Sequence, residues 1–317
     1  MLTIGIDLGG TNIKGALVDK NKGIIQKYSI PTEAELGKDH VIEQVAKVIN
    51  MAKADATSVP VAAGIGSPGI ISFDRTTVSH PPNLPGWVRE NLAVKLFEKT
   101  GIECYVDNDA NLMALGSSFF GVGRPYDTFI MITLGTGVGG GIIYQNKLFR
   151  GATGGAAEFG HVIINYDGPE DNSPAKGGIE AYLGQRFMSR RAWAIIQNHP
   201  DNELYKQFKD NSDALEPLHL STEAERGNNL AIEILEDAGH KLGIAIVNYV
   251  HVLDIRKVII SGGVSKAGKW ILEPAKQMAM SRMIETFRDG FEIILETMGN
   301  DAAVLGAASL PYEYTTE

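Results

Sequence analysis

Residues Ile4–Asp19, IGIDLGGTNIKGALVD, form the stretch on which the fold turns. Leu2 to Asp7 is a short, mostly apolar strand with an acid at its end. Gly9, Gly10 and Thr11 make a turn, Gly15 to Val18 reads as the return strand, and Gly23 to Ile30 as a third strand after the turn at Asp19–Gly23. This is a glycine hairpin with an acid near its tip. It is not the strand–GxGxxG–helix pattern of dinucleotide folds, and it lacks the GxxxxGK[ST] of a P-loop.

The same hairpin occurs a second time. Thr128 to Thr133 is another apolar strand, and LGTGVGGGII follows at Leu134–Ile143. Aligned without gaps, Leu8, Gly9, Gly10 and Thr11 face Leu134, Gly135, Thr136 and Gly137. Gly15 faces Gly141, Leu17 faces Ile143, and the turn Lys20-Asn21 faces Asn146-Lys147, an offset of about 126 positions. Among their differences one counts chemically: Asp7 in the first copy is Thr133 in the second.

Strands and helices alternate between and after the two hairpins. Helical spacing of Val41, Val45, Val48 and Ile49 predicts a helix over Lys38–Ala54, and Val59 to Ile65 reads as a buried strand opening into Ser67-Pro68-Gly69. Residues 80–87, HPPNLPGW, are too proline-rich for a helix or central strand and form a loop carrying Asn83. A helix over Leu92–Thr100 and a strand from Cys104 to Val106 lead into Asp107-Asn108-Asp109-Ala110-Asn111 and a helix to about Phe120. In the second half, residues 183–222 read as polar helices around a rim. Asn228 to Leu253 is one long amphipathic helix or a broken pair, and Lys257 to Ser261 is a strand ending in Gly262-Gly263. Phe291 to Leu295 is a further strand, with Asn300-Asp301 as an N-cap for a last helix through Leu310. The alternation predicts an α/β protein of two related domains, with the cleft between them as the ligand position.

The 317 residues, 44% hydrophobic, are enough for two domains with a large core. A net charge of −9 argues against a nucleic-acid partner. The single cysteine, Cys104, excludes an internal disulfide. MLTIGIDLGG has no signal-peptide character, and no apolar run reaches the roughly 20 residues of a membrane span, so the expected compartment is the cytoplasm and no membrane partner is expected.

Two glycine hairpins can present backbone N–H groups to a polyphosphate, with Thr11 and Thr136 adding hydroxyls. Asp7 is placed to hold Mg2+ through water. Gly262 and Gly263 would let a flat base approach the backbone, and Lys14 either neutralises phosphate or is surface. Phosphoryl transfer to an alcohol also needs a proton acceptor. Asp109 is the candidate, beside Asn108, with Asp107 as a rival two positions earlier and helix capping as the alternative role for Asp109. The stretch Gly154–Tyr182, GGAAEFGHVIINYDGPEDNSPAKGGIEAY, sets Glu158, His161 and Glu180 beside glycines. Carboxylates and an imidazole suit a polyhydroxy ligand, since each hydroxyl both donates and accepts.

Together IGIDLGGTNIKGALVD, Ser67–Gly69, DNDAN, LGTGVGGGII, GGAAEFGH, GIEAY and SGG resemble the ROK family of sugar kinases and sugar-responsive repressors, over essentially the whole chain and in the family's order. The resemblance implies an actin-like ATPase fold shared with hexokinases (ribonuclease H-like), with an ATP and sugar cleft between two related domains. The small domain would be residues 1–112 plus about 300–317 and the large one 113–299. Asp109 would take the proton from the 6-hydroxyl. Asn108, Glu158, His161 and Glu180 would bind sugar hydroxyls, with Gly69 and Asn83 as further contacts. Gly9, Gly10 and Thr11, flanked by Asn12 and Lys14, and Gly135, Thr136 and Gly137 would bind phosphates, with Gly262 and Gly263 near the adenosine.

The implied activity is ATP- and Mg2+-dependent phosphorylation of a hexose, glucose first. An N-acetylhexosamine or fructose kinase is the alternative within the class, and a non-catalytic sugar-binding regulator the alternative outside it. The resemblance also implies a homodimer or homotetramer, with the apolar positions between Ile232 and Val250 as candidate contacts. Two departures stand out. Repressors of the family carry a helix-turn-helix before the core, whereas this core starts at Ile4. Many members carry a zinc motif C-x-C-G-x-x-G-C before the sugar glutamate. Here the cysteine positions are Asp171, Ser173 and Gly178, and only His161 remains of the four ligands, so no zinc is expected and hydrogen bonds with Pro174 should hold the loop.

Overall fold

The structure, a computed structural model, describes residues 1–172, 176–299 and 301–314. Ser173, Pro174 and Asn300, which carried a zinc-ligand position, a loop restraint and a helix cap in the sequence, lie outside the described residues.

The chain opens with β1 (Leu2–Leu8), β2 (Asn12–Asp19) and β3 (Gly23–Pro31), then α1 (Lys38–Asp55) and β4 (Ala63–Ser67). Three short strands follow, β5 (Ile70–Ile71), β6 (Thr77–Ser79) and β7 (Arg89–Asn91), then α2 (Leu92–Thr100), β8 (Cys104–Asn108) and α3 (Asp109–Phe120). The second hairpin is β9 (Phe129–Leu134) and β10 (Val138–Tyr144), with β11 (Lys147–Phe149) behind it. A helical region comprises α4 (Glu180–Leu183), α5 (Gln185–Ile196), α6 (Glu203–Phe208), α7 (Pro217–Glu225) and α8 (Asn229–Leu253). The chain closes with β12 (Lys257–Ser261), α9 (Lys269–Arg282), α10 (Glu285–Arg288), β13 (Glu292–Leu295) and α11 (Asp301–Ser309).

The duplication read from the hairpins extends to whole sheets. One sheet has the order β3-β2-β1-β4-β8 and the other β11-β10-β9-β12-β13, so each places its hairpin and third strand beside two further strands in the same arrangement. In the first, β1 pairs antiparallel with β2 and parallel with β4, and β4 runs parallel to β8. In the second, β12 runs parallel to both β9 and β13. Parallel strands covered on both faces read as continuous apolar runs. β1 is covered on both faces yet alternates: Leu2, Ile4, Ile6 and Leu8 are buried on one face and Thr3 and Gly5 on the other, and α1 and α11 both pack on it.

By packing, the chain forms two compact units: Met1–Thr128 with Gly141–Ala157 and Thr297–Glu317, and Phe129–Gly140 with Glu158–Glu296. The boundary expected at residue 112 falls inside α3, a helix that packs on α11.

Three local expectations change. The strand expected over Val59–Ile65 is displaced to Ala63–Ser67, because parallel pairing with β1 begins at Ala63 and Pro60 cannot donate to a ladder. Val59 is accordingly 76% exposed. The broken-pair alternative for Asn228–Leu253 gives way to one continuous helix capped by the Asn228 side chain. Its stripe of Ile234, Leu235, Ala238, Leu242, Ile246 and Val250 is buried, and the helix packs on α9 and α7, so most of the face considered for oligomer contacts is core. The three-stranded sheet β5-β6-β7 had no clear sequence signal, since its strands are two or three residues long. Among the described residues no helix is long and apolar enough to cross a membrane.

Candidate active site

In the first unit, strand register gathers the chemistry at one sheet edge. Asp7 lies opposite Lys14 across the hairpin and beside Gly66 of β4, Gly66 lies beside Asp107 of β8, and Ser67 beside Asn108. The carboxyl ends of parallel strands are where open α/β sheets place ligands. The turn Gly9–Thr11 follows β1 directly. Thr32, which the sequence reading passed over, closes that turn: its hydroxyl donates to the Gly9 carbonyl at 2.7 Å and its N–H to the Thr11 carbonyl at 2.9 Å. Asn83 stands against the same turn, because a Cβ on Gly10 would lie 3.1 Å from the Asn83 Cβ. Gly69 has φ 93° and abuts Ser79 and Pro81, on the loop that carries Asn83.

Asn108 and Asp109 divide their roles differently from the capping alternative. The N-cap of α3 is Asn108, whose Oδ1 accepts from the Ala110 N–H at 2.9 Å and from the Asn111 N–H at 3.4 Å. That commits the Asn108 oxygen to the helix and leaves its NH2 for a ligand. Asp109 is the first helical residue and accepts from the Ala110 N–H at 2.9 Å. The residue is exposed, yet partial desolvation by the surrounding protein pushes its carboxyl above the ordinary range, with backbone N–H groups opposing. Burial also raises Asp7, opposed by Lys14 and reinforced by the charge of Asp109, so the two acids stand within electrostatic reach of each other.

The rival acid, Asp107, turns the other way. It is fully buried, with Arg75 Nε at 3.2 Å and Arg150 Nε at 3.0 Å from its Oδ2. No sequence signal marked those arginines.

In the second unit, β9 and β12 end side by side, with Thr133 opposite Ser261. Gly262 has φ 97°, and a Cβ there would lie 2.2 Å from the Leu134 carbonyl, so only glycine lets the two strand ends meet. A Cβ on Gly135 or Gly263 would meet nothing within 4 Å, which leaves both backbones open to a ligand. Helix α5 starts at this turn, where the Gln185 N–H donates to the Gly135 carbonyl at 2.9 Å. Glu180, at the head of α4, accepts the Val138 N–H at 2.9 Å.

Glu158 and His161 flank Phe159, and the Phe159 carbonyl accepts from the Tyr249 hydroxyl at 2.7 Å. The Phe159 ring lies over Gly140, where a Cβ would come within 2.2 Å of the ring. The GVGGG run is therefore needed for this packing as well as for the turn. His161 Nε2 and Glu158 Oε2 are 3.9 Å apart and both side chains are largely exposed.

Between His161 and Glu180, backbone contacts tie the described residues together. Ile163 bridges Gly178 and Glu170 bridges Lys176. The Ile164 N–H donates to the Gly177 carbonyl at 2.9 Å and the Gly177 N–H to the Pro169 carbonyl at 2.7 Å. Gly178 sits against Asp171 and His161, so positions that carry zinc ligands in relatives are neighbours here. Glycine offers no donor, and the set that remains does not suit a structural zinc.

The sequence model of the ROK family matches residues 3–313. The chain belongs to the ROK family. Among ROK relatives, glucokinase of Thermotoga maritima is 33% identical over 307 residues, covering 97% of this chain and 96% of its own. The crystal structure of a ROK family glucokinase from Streptomyces griseus, in complex with glucose and AMPPNP, superposes with a TM-score of 0.84 at 32% identity, covering 99% of this chain and 100% of that one. More distant is the xylose repressor of Bacillus subtilis, 24% identical, of whose length the alignment spans 77%. The fold expected from the family resemblance is thus that of known ROK sugar kinases.

Proposed function

We propose that this chain is an ATP-dependent hexose kinase, with glucose the first substrate. Asp109 takes the proton of the sugar 6-hydroxyl as that oxygen bonds to the γ-phosphorus. The bond from phosphorus to the β,γ-bridging oxygen breaks, and ADP leaves. Asn108 through its NH2, Glu158, His161 and Glu180 bind the other hydroxyls, with Gly69 and Asn83 as further contacts. The turns Gly9–Thr11, with Asn12 and Lys14, and Gly135–Gly137 receive the phosphates, and Gly262 and Gly263 lie near the adenosine.

The observation that carries the reading is Asp109: an accessible carboxyl at the first position of α3, beside a capping asparagine, in electrostatic reach of Asp7 at the glycine turn. The glucokinase relatives support glucose as substrate and ATP as donor. Mg2+ belongs to the same reading. Asp7 would hold the ion through water, since Mg2+ keeps much of its water shell. Bound Mg2+ would neutralise charge on the transferring phosphoryl group.

ADP release with Mg-ATP, measured over glucose, mannose, fructose, N-acetylglucosamine and N-acetylmannosamine, tests this. Turnover highest with glucose is expected. No turnover with any sugar would favour a non-catalytic sugar-binding regulator, a reading that the xylose repressor relative keeps in play. A cytoplasmic homodimer or homotetramer completes the proposal, and light scattering on purified protein reads the assembly.

A further inference from the structure

Asp107 has a use beyond being the acid that lost to Asp109. Its two oxygens do different work. Oδ1 accepts the Asn108 N–H at 2.7 Å and the Asn111 Nδ2–H at 3.0 Å, and so holds both the residue that caps α3 and a side chain in the first turn of that helix. Oδ2 faces the guanidiniums of Arg75 and Arg150, at 3.2 and 3.0 Å, in ionic contacts without hydrogen-bond alignment.

Those guanidiniums are themselves fixed. Arg150 Nη1 donates to the Phe73 carbonyl at 2.7 Å and Nη2 to the Ser72 carbonyl at 3.1 Å. Arg75 Nη2 pairs with Glu313 Oε2 at 2.7 Å, and Glu313 Oε1 accepts the Leu148 N–H at 2.9 Å. The Arg75 carbonyl accepts from Val106 of β8 at 2.8 Å, so the loop that supplies one arginine also grips the strand that carries Asp107. The quartet Asp107, Glu313, Arg75 and Arg150 balances two positive charges against two negative. Arg75 adopts φ 60°, a left-handed conformation that costs energy in a non-glycine residue.

Such a cluster is an expensive way to gain stability. Desolvating buried charges offsets much of their attraction, and apolar side chains of the same volume often do as well. What a charge cluster supplies that an apolar one does not is a fixed geometry. The element fixed here is the corner from β8 into α3, which carries Asp109 two residues after Asp107.

We propose that Asp107, clamped by Arg75 and Arg150, is a positioning residue for phosphoryl transfer: it sets the place of Asn108 and Asp109 without touching substrate. The proposal rests on the reading of Asp109 as the base. A misplacement of about 1 Å at a reacting group can cost on the order of 100-fold in rate.

The test compares Asp107→Asn with wild type by kcat at saturating sugar and ATP, by glucose Kd from calorimetry, and by crystal structure. The amide keeps an oxygen for Asn108 and Asn111 but removes the charge that the arginines hold. The expected result is a kcat lowered at least about tenfold with glucose Kd within about threefold. Val45→Ala, in the core of α1, serves as a destabilised control whose kcat stays at the wild-type level. Folded Asp107→Asn with kcat within twofold of wild type overturns the proposal, as does a loss confined to Kd. If Asp107→Asn does not fold, Glu313→Gln loosens Arg75 alone, and a kcat lowered about threefold to fivefold at unchanged Kd is expected, with unchanged kcat overturning it. The crystal structure separates this proposal from the proposed function. Displacement of the Asp109 carboxyl in the variant supports positioning even if wild type phosphorylates no hexose, and an unmoved carboxyl refutes it.

Discussion

The Glu180 carboxylate accepts the backbone N–H of Val138 at 2.9 Å, at the foot of the strand that leaves the Gly135–Gly137 turn. A single side chain thus joins the head of α4 to the second glycine hairpin. One of its oxygens is committed to protein, and the other remains for a hydroxyl.

Glu180→Gln should therefore weaken sugar binding more than turnover. A hydrogen bond to a charged partner is worth about 1.5–3 kcal/mol, which corresponds to roughly 10- to 100-fold in KM for glucose. Steady-state kinetics at saturating ATP reads this, and an unchanged KM would remove Glu180 from the sugar site.

Asp109→Asn should lower kcat by about 10²- to 10⁴-fold, the usual worth of a positioned proton acceptor, while glucose Kd by calorimetry stays close to wild type. A variant turning over near the wild-type rate would sink the assignment of the base.

The same substitution should raise the melting temperature at pH 7, or leave it unchanged. Partial desolvation raises the folded-state pKa of Asp109 above its unfolded value. A group shifted that way favours the folded state below the unfolded pKa, and this contribution is lost as pH rises through the folded pKa. At neutral pH the ionised carboxylate is thus a small cost, lessened by its exposure to solvent, that the amide removes. For the same reason the acid limb of kcat should lie above the ordinary aspartate range, since the base works only when ionised. A melting temperature clearly lowered at pH 7, with the loss growing as pH rises, would contradict this.

Phe159→Ala should cost about 3–5 kcal/mol in denaturant unfolding, as for other buried aromatics. It should also raise the KM for sugar, because Glu158 and His161 flank that ring. Gly140→Ala should destabilise as well, since its Cβ would lie 2.6 Å from the Met131 carbonyl and 2.2 Å from the Phe159 ring. Wild-type stability in both variants would show that the packing is not what holds this loop.

Purified, unchelated protein should contain far less than one zinc per chain, because Gly178 supplies no ligand and Asp171 with His161 makes a poor set. Stoichiometric zinc by elemental analysis would overturn the expectation.

The sequence by itself determined the fold, because a glycine hairpin written twice with strand-length spacing leaves few architectures that place both copies alike. It also supplied the candidate site residues, since Asp7, Asp109, Glu158, His161 and Glu180 all sit beside glycine turns or at a strand–helix junction. Only the tertiary structure decided the division of labour. Asp107 differs from Asp109 through its contacts with Arg75 and Arg150, which lie 32 positions before and 43 after Asp107 in the chain and have no local pattern to betray them. The cap of α3 fell to Asn108 because of backbone geometry at the end of β8. The support of the Gly9–Thr11 turn by Thr32 came from strand β3 returning beside it. Local patterning reports which face a residue prefers and where the backbone turns. Which charge meets which is set by contacts between distant segments, and those exist only once the chain has folded.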